Sequence, residues 1–240
     1  MAEEQINPKI TTRLVNIEFE VPGCENCPGY LSPNGEGSKQ GLVLVQEWWG
    51  VNQSIAECAD TFAKQGFRVI IADVYRGKTA DSREEAGHLI QGLNWTQATK
   101  DMQGAANYLK EKLGCTKVGI VGFCMGGALT FAALSAYPDV FSAGSPYYGI
   151  CDLNSFPLKN IKVPILGHFG ELDDLKGFAD PETAKQVEKQ GKDLGLDIEI
   201  KIWPGAKHAF NNIDRPEAYD KKTADATFNE TVEFFKTHLK

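Results

Sequence analysis

The segment 117–127 carries the residue of this chain best placed for nucleophilic chemistry, a cysteine between two glycines. Gly122 and Gly126 flank Cys124 two residues away on either side, where an apolar strand pattern turns directly into an apolar helix pattern. This is the G-x-S-x-G spacing of a nucleophile elbow with cysteine in the serine position, and the glycines let strand and helix approach closely. A helix N-terminus also favours the thiolate form. We therefore predict that Cys124 is a nucleophile; the alternative is a buried structural cysteine beside packing glycines.

A thiol nucleophile needs a base, and the base needs a carboxylate to orient it. Of the four histidines, only His208 falls in a loop after a late strand pattern. Asp173 precedes it in the order nucleophile, acid, base and closely follows a strand pattern, although Asp174 and Glu171 remain open as the acid. The predicted catalytic set is Cys124, Asp173 and His208. The alternatives are a solvated loop histidine and acids that only cap the next turn.

The elements that must position these residues alternate between strand and helix along most of the chain. Strand patterns cover residues 13–21, 29–31, 41–45, 67–71, 118–121, 141–148, 163–168 and 197–203. Helix patterns cover residues 52–65, 81–91, 96–113, 128–136, 181–194 and 218–239. Buried strands with continuous apolar runs indicate a mainly parallel central sheet with helices on both faces. We predict an α/β fold in a single domain over residues 1–240, with a site at the carboxyl ends of the strands.

Composition excludes several classes of partner. The 240-residue chain has 42% hydrophobic residues and a formal net charge of −7, which is ordinary for a globular protein and offers no basic surface to nucleic acid. No apolar run approaches the roughly 18 residues that a membrane span needs. No basic and apolar leader is visible at the N-terminus. We expect a cytoplasmic protein without nucleic-acid or membrane partners, as a monomer or a small homo-oligomer.

Six cysteines are present, and we expect them to be free thiols. A chain of this size with a hydrophobic core and no visible secretory leader does not need disulfides. Cys24 and Cys27 have C-x-x-C spacing, but they lie in a Gly/Pro-rich turn rather than at the start of a helix, and no second ligand pair follows. We therefore assign no function to this pair, and we expect neither a metal nor a cofactor.

Six short motifs, in order along the chain, resemble those of the dienelactone hydrolase family, also called carboxymethylenebutenolidases, of the α/β-hydrolase superfamily. They are QEWWGVN at residues 46–52, DVYRGK at 73–78, GFCMGG at 122–127, YYG at 147–149, HFGELD at 168–173 and HAF at 208–210. Each motif alone is loose, but together they span most of the chain. The resemblance implies an α/β-hydrolase fold and hydrolysis of a small-molecule ester or lactone.

The resemblance also implies roles for individual residues. Cys124, Asp173 and His208 match the family's catalytic triad. Glu47 matches a glutamate that holds the resting thiol protonated until substrate arrives. The other implied positions are the oxyanion-hole N–H groups of Trp48 and Met125 and the substrate-binding residues Arg76 and Tyr148.

One position departs from the family's pattern. Members that cleave dienelactone have a second arginine four residues after the catalytic histidine, where this chain has Asn212, and the nearest arginine is Arg215. This departure argues against dienelactone itself as the substrate, although not against hydrolase chemistry. Arg76 still favours an anionic substrate. The alternative is a surface arginine paired with Asp73 or Asp81.

A thiol nucleophile also restricts the substrate class. Thiolate is a good leaving group, so a tetrahedral adduct with an amide would expel sulfur, whereas an ester or enol-lactone has an alkoxide or enolate to expel. We predict a hydrolase that cleaves an ester or (enol-)lactone through a thioester acyl-enzyme. The alternatives are a catalytically silent binding protein of the same fold and a thiol redox sensor that uses Cys124.

Glu47 leads to a prediction that a purely structural role does not make. It follows a buried strand pattern and should point toward the elbow. In a partly dry site, a carboxylate disfavours a second negative charge nearby, so it should oppose thiolate formation at Cys124. We expect the resting thiol to alkylate slowly, although a histidine partner alone would make it reactive.

Overall fold

The computed structural model describes residues 14–240, and their strands form one eight-stranded sheet. The strands are Ile17–Phe19 (β1), Cys27–Leu31 (β2), Gln40–Val45 (β3), Arg68–Ala72 (β4), Lys117–Phe123 (β5), Ala143–Tyr147 (β6), Ile165–Gly170 (β7) and Ile198–Trp203 (β8). Their spatial order is β1-β2-β4-β3-β5-β6-β7-β8. Strands β3 to β8 run parallel, and β1 and β2 form an antiparallel hairpin whose second strand pairs with β4. The predicted mainly parallel sheet is confirmed.

Helices cover both faces of this sheet, as predicted. They are Gln53–Lys64 (α1), Arg83–Gln91 (α2), Trp95–Glu111 (α3), Met125–Ala136 (α4), Pro181–Asp193 (α5) and Lys221–His238 (α6). Leu42 of β3 packs in one apolar cluster with Phe62 of α1 and Phe235 of α6. Its neighbour Val43 packs in the other cluster, with Met102 of α3 and residues of α4 and α5. Because successive strand residues point to opposite faces, a continuous apolar run fills both cores. None of the helices in the described residues is long and apolar enough to cross a membrane.

Polar side chains fix where most helices begin. Asn52 and Asp180 each accept a hydrogen bond from a backbone N–H of the first turn of α1 and α5. Ser82 and Glu85 form a capping box at the start of α2. Such caps satisfy N–H groups that the first turn of a helix leaves free. Helix α4 differs, because its N-cap residue is Cys124 and no side chain within the described residues caps it. Its first N–H groups are therefore available to a ligand.

Two predicted strands are shorter in the structure. The edge strand predicted over residues 13–21 is Ile17–Phe19, since only these three residues pair with β2, and Arg13 lies outside the described residues. The strand predicted over residues 141–148 ends before Tyr148, whose φ of 36° is incompatible with a strand. The chain therefore turns sharply at Tyr148, directly after β6.

Candidate active site

The tight turn between β5 and α4 holds Cys124 in a strained backbone conformation. Its φ and ψ are 54° and −116°, and its N–H donates to the carbonyl oxygen of Tyr147 at 3.0 Å. A Cβ atom on Gly122 would collide with the carbonyl oxygen of Gly126, and one on Gly126 would collide with that of Val45. The close approach of strand and helix therefore requires a glycine at both positions.

The loops after β5, β7 and β8 bring together a thiol, an imidazole and a carboxylate. His208 Nε2 lies 3.2 Å from Cys124 Sγ, and His208 Nδ1 lies 2.7 Å from Asp173 Oδ2. Asp173 is buried, whereas Asp174 and Glu171 are exposed. Of the three acids that the sequence left open, Asp173 is the one that faces the imidazole.

A second buried histidine, His168 on β7, has a structural environment. Trp203 Nε1 donates to its Nδ1 at 3.1 Å, so the neutral ring carries its proton on Nε2, which lies 3.0 Å from Thr231 Oγ1. Burial and the nearby Lys201 lower the pKa of His168 to about 3. The ring stays neutral near pH 7 with both nitrogens occupied, so it has no free atom for catalysis.

The surroundings of His208 favour its protonated form. Burial opposes the imidazolium, but hydrogen bonds to Asp173 and Cys124, together with the negative charge on both, raise the pKa of His208 to about 10. A protonated imidazole 3.2 Å from a sulfur has the geometry of a thiolate–imidazolium pair. His208 therefore favours negative charge on the sulfur, which is the effect that Glu47 is predicted to oppose.

Two backbone N–H groups at the elbow, those of Trp48 and Met125, have no acceptor within the described residues. Met125 is the first residue of α4, and its Sδ accepts a hydrogen bond from Tyr75 OH at 3.1 Å. The end of β3 packs against the start of α4 at Gly126, which brings the loop carrying Trp48 to the elbow. Free N–H groups at a helix N-terminus stabilise negative charge, so this arrangement can serve as an oxyanion hole.

Glu47 lies beside this site, and two neutral donors hold its carboxyl group. Tyr148 OH donates to Glu47 Oε1 at 3.2 Å, and Asn212 Nδ2 donates to Oε2 at 2.5 Å. Within the described residues, no hydrogen bond joins Glu47 to Cys124. Burial raises the pKa of Glu47, and the hydrogen bonds and the nearby His208 offset this only in part. An effect of Glu47 on the thiol therefore has to act through charge rather than through direct contact.

Asn212 is a partner of Glu47 that sequence patterns did not indicate. Its Oδ1 accepts from the N–H of Asp214 at 2.9 Å, which orients the amide so that Nδ2 faces Glu47. The ring of Tyr148 meets that of His208 edge-on, with centroids 5.2 Å apart. Glu47 thus links the loops after β3, β6 and β8. The sequence held one indication that Asn212 belongs to the site. It lies four residues after His208, where dienelactone-cleaving members of the family that the chain resembles have an arginine.

Replacing Glu47 by glutamine tests whether its charge opposes the thiolate. Glutamine keeps the shape of the side chain and removes its charge, so Cys124 should react faster with iodoacetamide in Glu47→Gln than in the unmodified protein. Because burial raises the pKa of Glu47, its charge is present only above that raised pKa, and the difference in rate should widen as pH rises. Mass spectrometry of Cys124 alkylation as a function of pH measures this difference.

Glu84→Gln is the matched control for this experiment, because Glu84 is an exposed glutamate of α2 that lies outside the site. It should leave the alkylation curve of Cys124 unchanged. Coinciding curves for Glu47→Gln and the unmodified protein would mean that Glu47 is only a polar residue of its loop. If Glu47 also helps to activate the thiol, ester turnover should fall in Glu47→Gln and not in Glu84→Gln.

Arg76 is tied to a buried acid. Its Nη1 and Nη2 donate to the two carboxylate oxygens of Asp101, both at 2.8 Å. Nη1 also lies 3.1 Å from Cys27 Sγ and donates to the main-chain oxygen of Asp73 at 3.1 Å. A bidentate pair of this kind compensates a carboxylate that would otherwise be buried without a partner. The contacts favour the structural alternative for Arg76, with Asp101 as the acid in place of Asp73 or Asp81.

The six cysteines are free thiols in the structure. Cys27 is buried in β2, where burial raises the pKa of its thiol, and Cys24 lies half-buried in the preceding turn with Lys100 Nζ 3.7 Å from its Sγ. Within residues 14–240, no three or more His, Cys, Asp and Glu side chains form a cluster that could hold a metal ion. In the part of the chain that the structure describes, no hydrogen bond joins the C-x-x-C pair to Cys124, Asp173 or His208, and we assign it no role in catalysis.

Positive φ values outside glycine are concentrated at the same edge of the sheet. In the described residues they occur at Arg76, Cys124, Tyr148 and Ala209, with φ of 54°, 54°, 36° and 61°. These residues follow β4, β5, β6 and β8. Residues other than glycine adopt this backbone conformation only where surrounding contacts enforce it. Among the described residues, backbone strain is therefore concentrated in loops at the edge of the sheet where the candidate site lies.

A mainly parallel sheet, a cysteine on a sharp strand-to-helix turn, and an aspartate and a histidine on later loops define an α/β-hydrolase. The chain belongs to the dienelactone hydrolase family, whose family model matches residues 28–239. The family assignment makes it a carboxylic ester hydrolase.

Relatives support this assignment, and a solved structure shares the fold. Protein usf of Aquifex pyrophilus is 33% identical over 231 residues, which cover 93% of this chain and 98% of that protein. A carboxymethylenebutenolidase homolog of Mus musculus is 26% identical over 200 residues, which cover 80% of this chain and 79% of the murine protein. The crystal structure of a dienelactone hydrolase-like promiscuous phosphotriesterase from metagenomic libraries has a TM-score of 0.80 at 20% identity, covering 93% of this chain and 98% of its own. The last similarity concerns the fold alone.

Proposed function

We propose that this chain hydrolyses esters or (enol-)lactones through a thioester acyl-enzyme on Cys124. One observation carries the proposal: the thiol, the imidazole of His208 and the buried carboxylate of Asp173 form a continuous series of contacts at 3.2 and 2.7 Å. In this arrangement His208 acts as acid and base, and Asp173 holds its tautomer and orientation. The name of the murine relative, a carboxymethylenebutenolidase homolog, supports a lactone or ester as the substrate.

Acylation begins when the Cys124 thiolate adds to the carbonyl carbon of the substrate. The carbonyl oxygen takes up the negative charge, and the N–H groups of Trp48 and Met125 stabilise it. The adduct collapses by cleavage of the C–O bond, and His208 gives its proton to the departing alkoxide or enolate. The products of this half-reaction are the alcohol or enol and a thioester on Cys124.

Deacylation regenerates the ion pair. Neutral His208 takes a proton from a water molecule whose oxygen attacks the thioester carbon. The second adduct collapses by cleavage of the C–S bond, which releases the carboxylic acid and returns the Cys124 thiolate opposite the His208 imidazolium. Both half-reactions use the same oxyanion hole, so the backbone N–H groups of Trp48 and Met125 act twice in each turnover.

Hydrolysis of p-nitrophenyl acetate by the purified protein tests this proposal against its two alternatives. Turnover of p-nitrophenyl acetate would support the hydrolase. A panel of esters and lactones that includes dienelactone would then show which substrates it prefers. Binding of these compounds without turnover would support a catalytically silent binding protein. Peroxide consumption without ester turnover would support a redox sensor that uses Cys124.

Arg76→Ala tests whether the substrate carries a carboxylate that this residue binds. Because Arg76 already pairs with Asp101, we expect the variant to lose the same fraction of kcat/KM on anionic and on neutral esters. We also expect the free energy of unfolding to fall by roughly 1–3 kcal/mol, since among residues 14–240 buried Asp101 keeps only its side-chain hydrogen bond from Gln97. Comparing the two substrates within one variant removes the effect of stability on the ratio. A selective loss on anionic esters would instead establish a carboxylate-binding role.

A further inference from the structure

Both arginines near the candidate site are already paired with an acid. Arg76 pairs with Asp101 at 2.8 Å. Arg215 pairs with Glu217 at 2.6 Å, and its guanidinium carbon lies 5.7 Å from the ring centre of Trp49. A substrate carboxylate would have to compete with buried Asp101 for Arg76 and with the more exposed Glu217 for Arg215.

A cavity of about 240 Å³ adjoins the site at Glu47 and Tyr148. Its lining includes the carboxyl groups of Glu47, Glu57 and Asp225 and, among the described residues, contains no lysine, arginine or histidine. Much of the remaining lining is apolar or aromatic: Trp49, Ile55, Phe123, Ile213, Tyr219 and Phe228. Its volume suits a group of roughly the size of an aromatic ring or a short alkyl chain. Such a lining repels a carboxylate and accommodates a neutral apolar group.

Large apolar side chains are exposed at the same edge of the sheet. Leu172 and Leu175, 56% and 42% exposed, flank the buried Asp173, and Ile213, 61% exposed, lies in the loop of the catalytic histidine. Of the four exposed large hydrophobic residues in the described chain, only Leu194, at the end of α5, lies elsewhere. Single exposed apolar residues are common on protein surfaces, but a group of them beside a site is typical of a ligand-binding edge.

We propose that the site takes neutral esters whose apolar acyl or aryl group binds in this cavity against Ile213, and that it discriminates against substrates with a carboxylate. A carboxylate entering the cavity would leave water and meet Glu47, Glu57 and Asp225, and the described lining offers it no cation. Lys221, outside the lining, already pairs with Asp225 at 2.6 Å. An apolar group would lose contact with water and cover Ile213. The inference rests on the proposed hydrolase function and names the substrate class of that same site.

Two p-nitrophenyl esters of matched chain length test this preference. The pentanoate is neutral, whereas the hemisuccinate ends in a carboxylate at the corresponding position. For the unmodified protein we expect kcat/KM to be at least about tenfold higher for the pentanoate, which corresponds to roughly 1.4 kcal/mol. Equal values, or a higher value for the hemisuccinate, would overturn the inference.

Substitutions of Ile213 test the location of the apolar group. Ile213→Ser should raise KM for the pentanoate several-fold with a smaller change in kcat, and Ile213→Lys should shift the ratio of kcat/KM toward the hemisuccinate. Leu194→Ser and Leu194→Lys are matched controls, because Leu194 is 54% exposed and lies outside the site. They should leave both substrates unaffected.

The outcomes of this experiment separate two kinds of failure. If the protein hydrolyses neither ester nor p-nitrophenyl acetate, the proposed function is wrong and this inference falls with it. If both esters are hydrolysed equally well and Ile213→Lys does not change their ratio, only the inference is wrong. A several-fold effect of Ile213→Ser that Leu194→Ser does not reproduce would support the assigned position.

Discussion

Cys124→Ala should lower kcat/KM for p-nitrophenyl acetate by about 10³- to 10⁶-fold, the range found when a catalytic nucleophile of this kind is removed. The substitution deletes the sulfur that forms the acyl bond in the proposed mechanism and leaves the two backbone N–H groups of the proposed oxyanion hole in place. The fold should persist, because alanine is smaller and the N–H of residue 124 still donates to the carbonyl oxygen of Tyr147. Stopped-flow release of p-nitrophenol measures the loss, and circular dichroism checks the fold.

Cys24→Ser and Cys27→Ser serve as controls for the loss of a thiol elsewhere in the chain. Both should retain nearly full activity, and Cys24→Ser is the cleaner control because Cys24 is only half-buried. Unchanged turnover in Cys124→Ala would show that hydrolysis takes place at another site. A large loss in Cys24→Ser would mean that the C-x-x-C pair has a function that its place in a turn did not suggest.

Asp173→Asn should lower kcat/KM by about 10⁴-fold, or roughly 5 kcal/mol, as in triads where the acid holds the histidine in its productive tautomer. The carboxylate lies 2.7 Å from His208 Nδ1 and helps to raise the pKa of that imidazole to about 10. A raised pKa means that the imidazolium persists up to the folded-state pKa, so its loss should begin at a lower pH in the variant. NMR titration of the His208 ring nitrogens and the pH profile of kcat/KM should both move in this direction.

Asp174→Asn is a control within the same loop. Asp174 is the adjacent acid in sequence, but it is exposed, so its substitution should change kcat/KM less than about twofold. A loss in Asp174→Asn without a loss in Asp173→Asn would mean that the acid of the triad is assigned to the wrong residue. Equal losses in both variants would point to a general effect of charge in this loop.

The elbow could be predicted from the sequence because both of its glycines lie two residues from the nucleophile. A Cβ atom on Gly122 would meet the carbonyl oxygen of Gly126, whereas one on Gly126 would meet that of Val45 on the neighbouring strand, and both constraints appear in the sequence as one short spacing around Cys124. The acid and the base could be ordered, since each follows a strand and parallel strands present their carboxyl ends at one edge. Choosing Asp173 over its neighbours needed the three-dimensional arrangement, because the three acids look alike in sequence.

The partners of Arg76 and Glu47 could not be predicted for the opposite reason. Asp101 reaches Arg76 because its helix, α3, packs against one face of the sheet beside β4. No spacing in the sequence encodes that packing. Asn212 meets Glu47 across two loops that are far apart in the chain. Contacts of this kind depend on the conformations of the loops that connect the strands and helices, and local sequence patterns carry little information about those conformations.

The four left-handed residues that follow the strands carry a thermodynamic consequence. Such a backbone conformation costs of order 1–3 kcal/mol per residue, and the free energy of unfolding of a typical domain is only about 5–15 kcal/mol. A glycine at Ala209, whose φ is 61°, would relieve one of these costs, but it would also loosen the segment that holds His208. Selection for heat resistance and selection for turnover therefore act in opposite directions at these four positions. Thermostable descendants of this chain should accumulate their stabilising substitutions at the far, amino-terminal ends of the strands and on the outer faces of the helices.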